Sequence, residues 1–295
     1  MQIGIVGLPY SGKTTLFQTI TKSFIDPETV TKSESHQAVV KVPDERLIKL
    51  TEIFNPKKTV NAVIEFVDVV GLQKGDQGST QFTTNFLAKV KTNDALLQVV
   101  RLFEDESVAH PDGSVDMLRD IVSFETEFIL SDMAIVENRL EKIKKQILKN
   151  QDELLKRELP VLEKCYDALQ NEKALRDIQL NKDELKILKT YQLLSVKPML
   201  IALNLDENQI AKKDEFVKKA QEAIKGQNTK VLAFFGKVEK EMAELADEDA
   251  EVFMAEYGIK ESALNNIIKE SYALLGLHSF LTAGEDECRA CRKNR

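Results

Sequence analysis

The chain has 295 residues, 43% hydrophobic and 30% charged, a composition that excludes wholesale disorder and any collagen-like or disulfide-stapled scaffold. Its net charge of -7 gives no global basic field to draw it to nucleic acid or anionic lipid, and no recognition of DNA sequence is expected. Three cysteines, no basic leader and no run of about 18 apolar residues together predict a cytoplasmic chain that does not enter membranes.

Gln2 to Val6 (QIGIV) is apolar and rich in β-branched residues, which predicts a buried strand. It feeds into GLPYSGKT, Gly7 to Thr14, a match to GxxxxGK followed by Ser or Thr. Thr15 to Thr21 then carries helical apolar spacing at Leu16, Phe17 and Ile20. Gly7 and Gly12 let successive backbone N–H groups turn inward around phosphate oxygens, and the helix N-terminus adds partial positive charge. Lys13 is expected on the β- and γ-phosphates and the Thr14 hydroxyl at one position around Mg²⁺, with Tyr10, Ser11 and Thr15 completing the nucleotide-lining set.

A phosphoryl-transfer site also needs a carboxylate for the metal at the end of a neighbouring buried strand. Ala62 to Asp68 (AVIEFVD) supplies one: Asp68 is expected to hold Mg²⁺ through water, and Gly71, closing DVVG, to sense the γ-phosphate. From Ser131 to Thr190 the texture changes, with 13 Lys and Arg against 12 Asp and Glu and no glycine, which reads as a solvated helical hairpin rather than a nucleic-acid clamp. Val136, Leu140, Ile143 and Ile147, then Leu155, Leu159, Leu162, Tyr166 and Leu169, keep coiled-coil-like spacing and predict two antiparallel helices. Pro160 is expected to kink or break the second, and Asn181 with Glu184 to open a third running toward Leu194.

Met199 to Leu205 (MLIALNL) predicts another buried strand, running into NLDE, Asn204 to Glu207, which looks like a shifted NKxD. Asn204, Leu205 and Glu207 are expected to read the base. Leu205 stands where a lysine stem would lie along the ring, and Glu207 where an aspartate would pair with guanine, so guanine selectivity is not expected. Near the C-terminus a lone CxxC, Cys288 and Cys291, has only His278 in its vicinity and falls short of a zinc ligand set.

The stretches GIVGLPYSGKTTLF, VKVPDERL, EFVDVVGLQKG, VVRLFEDESVAHPDGSVD, KPMLIALNLDE and LLGLHSFLTAGEDECRA, in this order and at these separations, carry a resemblance over nearly the whole chain. It resembles the YchF or Obg-like ATPase family of TRAFAC-class P-loop NTPases. The resemblance implies a Ras-like nucleotide domain interrupted by a helical insertion, ATP preferred over GTP, dependence on Mg²⁺, and association with ribosomes or translation factors. Family members carry a hydrophobic residue, here Leu72, where Ras-like GTPases have a water-positioning glutamine, and a histidine in a mobile loop is proposed to take over. The matching residue, His110, is thereby expected to act on the attacking water; an exposed loop histidine beside Pro111 is the other reading.

Several segments depart from the family pattern. YSGKT replaces NVGKS, putting Tyr10 and Ser11 where Asn and Val are usual. The threonine that completes the family's metal shell falls on Lys32, which leaves Thr31 as a candidate metal ligand, Lys32 as a γ-phosphate contact, or the stretch as a plain polar connector. After Gly75, DQGSTQFTTNFL stands in place of a glycine-rich turn, so a different switch motion is expected. FFGKVE, Phe234 to Glu239, replaces an SAKxE-like segment and offers the Gly236 amide to the base.

The expected architecture is α/β: a mostly parallel six-stranded sheet, formed by residues 1–130 and 196–281, interrupted by a helical insertion at 131–195, with 282–295 beginning a truncated or absent TGS-like module. The expected activity is Mg²⁺-dependent hydrolysis of the β–γ phosphate bond, ATP preferred, in a ribosome-associated or stress-regulatory switch. A nucleotide-gated binding module with negligible hydrolysis and a conventional GTPase are the alternatives.

Overall fold

The computed structural model describes residues 1–21, 36–69, 82–149, 152–224, 226, 228–245, 247–256 and 262–294. A six-stranded sheet organises the chain, in the order β2 (His36–Lys41), β4 (Val63–Asp68), β1 (Gln2–Val6), β5 (Ala95–Arg101), β6 (Met199–Asn204) and β7 (Thr229–Phe234). Among the described residues, only the edge strand β2 of this sheet runs antiparallel to its neighbour. Strands β5 and β6 (ALLQVVR, MLIALN) are buried at every position, as central parallel strands covered on both faces must be, whereas β2 is mostly half-buried or exposed.

One face packs Ile3, Ile5, Phe66, Leu97 and Phe234 against α1 (Lys13–Thr21) and α10 (Ala263–Leu274). The other packs Val6, Val100 and Leu203 against α3 (Thr84–Lys91), α4 (Met117–Ile147), α7 (Lys213–Ala223) and α8 (Gly236–Glu244), with Phe82, Phe86, Phe124 and Phe128 in a tilted aromatic group. The connection from β1 leads to one side of it, to β2, and the connection from β4 crosses to β5 on the other, so the strand order switches at β1, and the crevice at its carboxyl end is where an open α/β sheet takes a ligand.

Helix α4 is continuous for 31 residues, about 46 Å at 1.5 Å per residue. Its first half puts Ile121, Phe124 and Phe128 into the nucleotide-domain core, and its second half puts Val136, Leu140 and Ile143 against α5 (Glu153–Gln170) in a separate core. The expected boundary at residue 131 therefore falls inside a helix rather than in a linker. Pro160 lies within α5, which runs through it; the prolyl nitrogen simply has no N–H to give to the preceding turn. Asn181 and Glu184 form a reciprocal capping box that opens α6 (Lys182–Lys189), which stops short of Leu194.

The base of the arm is fixed by Asp132, whose buried carboxylate accepts from Leu194 N–H at 2.8 Å, Ser195 N–H at 2.7 Å and the Ser195 hydroxyl at 2.6 Å. Arg139 ties α4 to α5 through both carboxylate oxygens of Glu158, at 2.7 and 2.8 Å.

The C-terminal residues form a small second sheet, β3 (Lys58–Val60), β9 (Glu287–Asn294), β8 (Leu277–Thr282), in that order. Strand β9 runs parallel to β3 and antiparallel to β8, and Cys288 packs into the same core as Phe17 and Leu47. Residues 287–289 are thus paired with a strand around residue 59 of the nucleotide domain, and residues 289–294 with β8. Cys288 is fully buried while Cys291, three residues on, lies on the opposite face of the strand, so the two thiols diverge. No group of three or more metal-ligating side chains occurs among the described residues, and no helix among them is long and apolar enough to cross a membrane.

Candidate functional site: the phosphate loop and its surroundings

Strand β1 delivers the chain into the loop, and packing leaves no room for side chains at two positions. A Cβ on Gly7 would stand 2.4 Å from the Val99 carbonyl oxygen, and one on Gly12 (φ +95°) would stand 2.3 Å from Asn204 Nδ2. Tyr10 is left-handed at φ +62° with its side chain projecting into solvent. Ser11 N–H closes onto the Leu8 carbonyl at 3.3 Å, and the α1 ladder begins with Leu16 N–H to Gly12 at 2.9 Å. Thr15 lies in the first turn of α1, where its carbonyl accepts from the Thr19 hydroxyl at 2.7 Å.

Lys13 donates to the Leu8 carbonyl at 2.8 Å, so the ammonium folds back over its own loop. Burial pushes its pKa down to about 8, and the carboxylate of Asp68 opposes that shift. Asp68, at the end of β4, is almost fully buried; the Thr14 hydroxyl donates to its Oδ2 at 3.1 Å, while Oδ1 has no partner among the described residues. Burial raises the Asp68 carboxyl, against the pull of Lys13, Thr14 and His36. The sequence-expected lysine, hydroxyl and carboxylate therefore come together at the carboxyl end of β1 and β4.

The residues expected to read the base are held by protein contacts. Asn204 spends its amide on protein: Nδ2 donates to the Ser11 carbonyl at 3.1 Å and Oδ1 accepts from Gly236 N–H at 3.0 Å. It staples the phosphate loop to the start of α8, and the Gly236 amide, expected to face a base, is given to Asn204. Leu205 points into the core, 3% exposed, rather than along an open groove. Asp206 caps the following turn by accepting from Asn208 N–H at 2.9 Å, and the Glu207 carboxylate lies 3.6 Å from the Lys237 ammonium.

His110 is not the exposed loop residue of the second reading: its side chain is 4% exposed. Asp112 N–H donates to Nδ1 at 3.2 Å, which assigns the ring hydrogen to Nε2, where it is given to Asp120 Oδ2 at 3.0 Å. The second Asp120 oxygen accepts from Arg119 at 2.9 and 2.8 Å, and Arg119 also donates to the Ser114 carbonyl at 2.6 Å. A cleft of about 510 Å³ lined by Leu8, Phe82, Asp112 and Arg119 joins this histidine loop to the phosphate loop. Gly71, Thr31, Lys32 and Leu72 lie outside the described residues.

Sequence reasoning missed Asp120, Arg119 and the stapling role of Asn204. The signal for Asp120 was present: a carboxylate between Met117 and Ile121 on the apolar face of a helix needs a partner.

A glycine loop on the end of a parallel strand, a lysine and hydroxyl at the next helix, and a buried carboxylate on the adjacent strand define a Ras-like P-loop nucleotide-binding protein with a helical insertion. Residues 2–164 match the family model described as 50S ribosome-binding GTPase. The chain is 39% identical to the ribosome-binding ATPase YchF of Bacillus subtilis over 97% of its own length and 79% of that protein's. It is 36% identical to the protein of the same description from Haemophilus influenzae, with the same coverages. In structure it superposes on the YchF GTPase of Schizosaccharomyces pombe with a TM-score of 0.85 at 30% identity, covering 100% of this chain and 80% of that one. The chain belongs to the YchF family.

Proposed function

We propose that this protein is a slow, Mg²⁺-dependent nucleoside triphosphatase that prefers ATP to GTP and acts in the cytoplasm as a ribosome- or translation-associated switch. The observation that carries the reading is the Thr14–Asp68 pair under the phosphate loop, with Asp68 Oδ1 buried and unpartnered among the described residues. A buried carboxylate oxygen beside a hydroxyl, both at a phosphate cradle, fits a hard divalent cation. Bound there, Mg²⁺ would draw charge from the β- and γ-phosphate oxygens.

The remaining steps belong to side chains. Lys13 exchanges the Leu8 carbonyl for phosphate oxygens, which restores its full charge, and the loop amides supply further donors that need no reorganisation. Thr14 and Asp68 hold the cation. His110 orients the attacking water or takes its proton, after its bonds to Asp112 and Asp120 open and free a nitrogen. Preference for ATP is supported by Leu205 and Glu207, which leave the NKxD-like turn without its lysine and with its carboxylate beside Lys237. The ribosome as partner is supported by the descriptions of the bacterial relatives.

A nucleotide-gated binding module with negligible hydrolysis is favoured by one observation, the enclosure of His110 with both ring nitrogens engaged. Equilibrium binding of ATP and GTP with Mg²⁺, followed by single-turnover hydrolysis by the wild type and His110→Ala, separates the readings. Tighter ATP binding with hydrolysis slowed about 100-fold or more in the variant is the expected result. Equal rates sink the histidine mechanism, no rate above buffer leaves the binding module, and tighter GTP binding overturns the assignment of Leu205 and Glu207.

A further inference from the structure

His36 belongs to none of the motifs that define the nucleotide site, yet the sheet register brings it to the metal carboxylate. Strand β2 runs antiparallel to β4 with His36 directly opposite Asp68. Directly opposed residues share a face, with Cβ atoms about 4.5 to 5.5 Å apart. The alternation agrees: Ala38 and Val40, two and four residues on, pack in the same core as Ile64 and Phe66. That is also the face covered by α1, and the Phe17 ring stands 6.5 Å from the imidazole. His36 is thus held at the end of the edge strand, on the same side of the sheet as Thr14 and Lys13.

Two buried polar atoms there have no partner among the described residues, His36 Nε2 and Asp68 Oδ1. Buried groups of this kind are normally satisfied by protein or by ordered water, so a facing pair calls for a shared occupant. Asp68 can only accept when ionised, so the occupant must donate. A water bound to a divalent cation has its lone pair on the metal and two hydrogens to give, and Mg²⁺ characteristically keeps several such waters. A neutral imidazole with its hydrogen on Nδ1 accepts one of them at Nε2.

We infer that His36 is a positioning residue of the metal site, its Nε2 accepting a hydrogen from the hydration shell of the nucleotide-bound cation beside Asp68. The inference rests on the nucleotide and metal reading above and extends it to a side chain on the edge strand. His36 sets how tightly the cation's water shell is held, in the manner of outer-shell partners of metal ligands elsewhere.

The test uses the full chain and the slowly hydrolysed analogue ATPγS, with affinity measured in saturating Mg²⁺ and in EDTA. In His36→Ala and His36→Leu the gain in affinity that Mg²⁺ confers shrinks about tenfold while the EDTA affinity stays at the wild-type value. His36→Gln, which again presents an acceptor, recovers most of the gain; the leucine variant fills the space without one. An unchanged Mg²⁺ gain in the alanine and leucine variants overturns the inference. So does an equal loss with and without metal, or a glutamine variant no better than leucine. Asp68→Asn is the control for the underlying reading: if it too leaves the Mg²⁺ gain intact, the metal site itself is wrong, not the part given to His36.

Discussion

Of the buried polar atoms without hydrogen-bond partners among the described residues, Ser11 Oγ, His36 Nε2, Asp68 Oδ1, Gln98 Oε1 and Arg101 Nη1 belong to the phosphate loop or the strands around it, while Asn93 Oδ1, Glu125 Oε1 and Ser271 Oγ lie elsewhere in the nucleotide domain. The helical arm, residues 131–195, contributes no such atom among the described residues, although it is the more charged region. Its buried Asp132 has three donors, and Arg139, Glu158 and Tyr191 share one network. The arm is complete as folded, whereas the nucleotide end of the sheet holds polar groups whose partners must come from a ligand, water or a moving segment. Perturbation should accordingly act on ligand affinity in the first region and on folding in the second.

The largest effect is expected where the two properties meet, at Asn204. Asn204→Ala strips a partner from the Ser11 carbonyl and from the Gly236 N–H, and leaving both unpaired should cost about 2 to 3 kcal/mol of stability. Denaturant unfolding reads that loss. Nucleotide affinity should fall with it, because the loop loses its tie to α8; a variant that unfolds normally yet binds no nucleotide would mean that the amide contacts the base instead.

Gly12→Ala should act more narrowly. The position is left-handed and the added methyl meets Asn204, so strain of about 2 kcal/mol falls on the loop, or about 30-fold in nucleotide affinity. Unchanged affinity for ATP would show that the loop relaxes on binding.

In the arm the sensitive variable is pH. Hydrogen bonds from Arg139 and Tyr191 hold the Glu158 carboxyl below the ordinary carboxylate range, against the opposing effect of burial. A depressed folded-state pKa means that the stabilisation is complete above the unfolded carboxylate's range and is lost as pH falls through the folded value. The pair is partly exposed, so about 1 kcal/mol is at stake. The protection factors of the α4 and α5 amides, with the intrinsic pH dependence of exchange divided out, should therefore fall in acid, and Glu158→Gln should flatten that dependence. An identical acid profile in the variant would assign the loosening to other carboxylates.

How much of this could be read beforehand differs between the regions for physical reasons. Helical periodicity is local, so the α4–α5 hairpin and the Asn181 capping box were legible residue by residue, while the continuity of α4 across residue 131 was hidden by a change of packing partner rather than of pattern. The loop and Asp68 were legible because their chemistry requires fixed types at fixed spacing. His36 was not: its place opposite Asp68 depends on antiparallel register between strands 32 residues apart in sequence, which composition does not encode. Asn204 was found by motif, but its bonds to the Ser11 carbonyl and the Gly236 N–H were not, since the same amide can serve a base or a backbone and only packing shows the second.

The smallest expected effect sharpens the comparison most, because it separates strain kept for binding from strain that merely persists. Tyr10 is held at φ +62°, a region that costs an ordinary L-residue roughly 1 to 2 kcal/mol and that asparagine tolerates better. The residue is 65% exposed, so little packing is lost on replacement. Tyr10→Asn should raise stability by about 1 kcal/mol, read as a small rise in melting temperature. If nucleotide affinity is unchanged, the strain at this position is incidental to the loop's backbone path. If the stabilised variant instead binds ATP more weakly, the exposed ring is a contact for the nucleotide, and the loop keeps an unfavourable conformation because the aromatic surface is used when the site is filled.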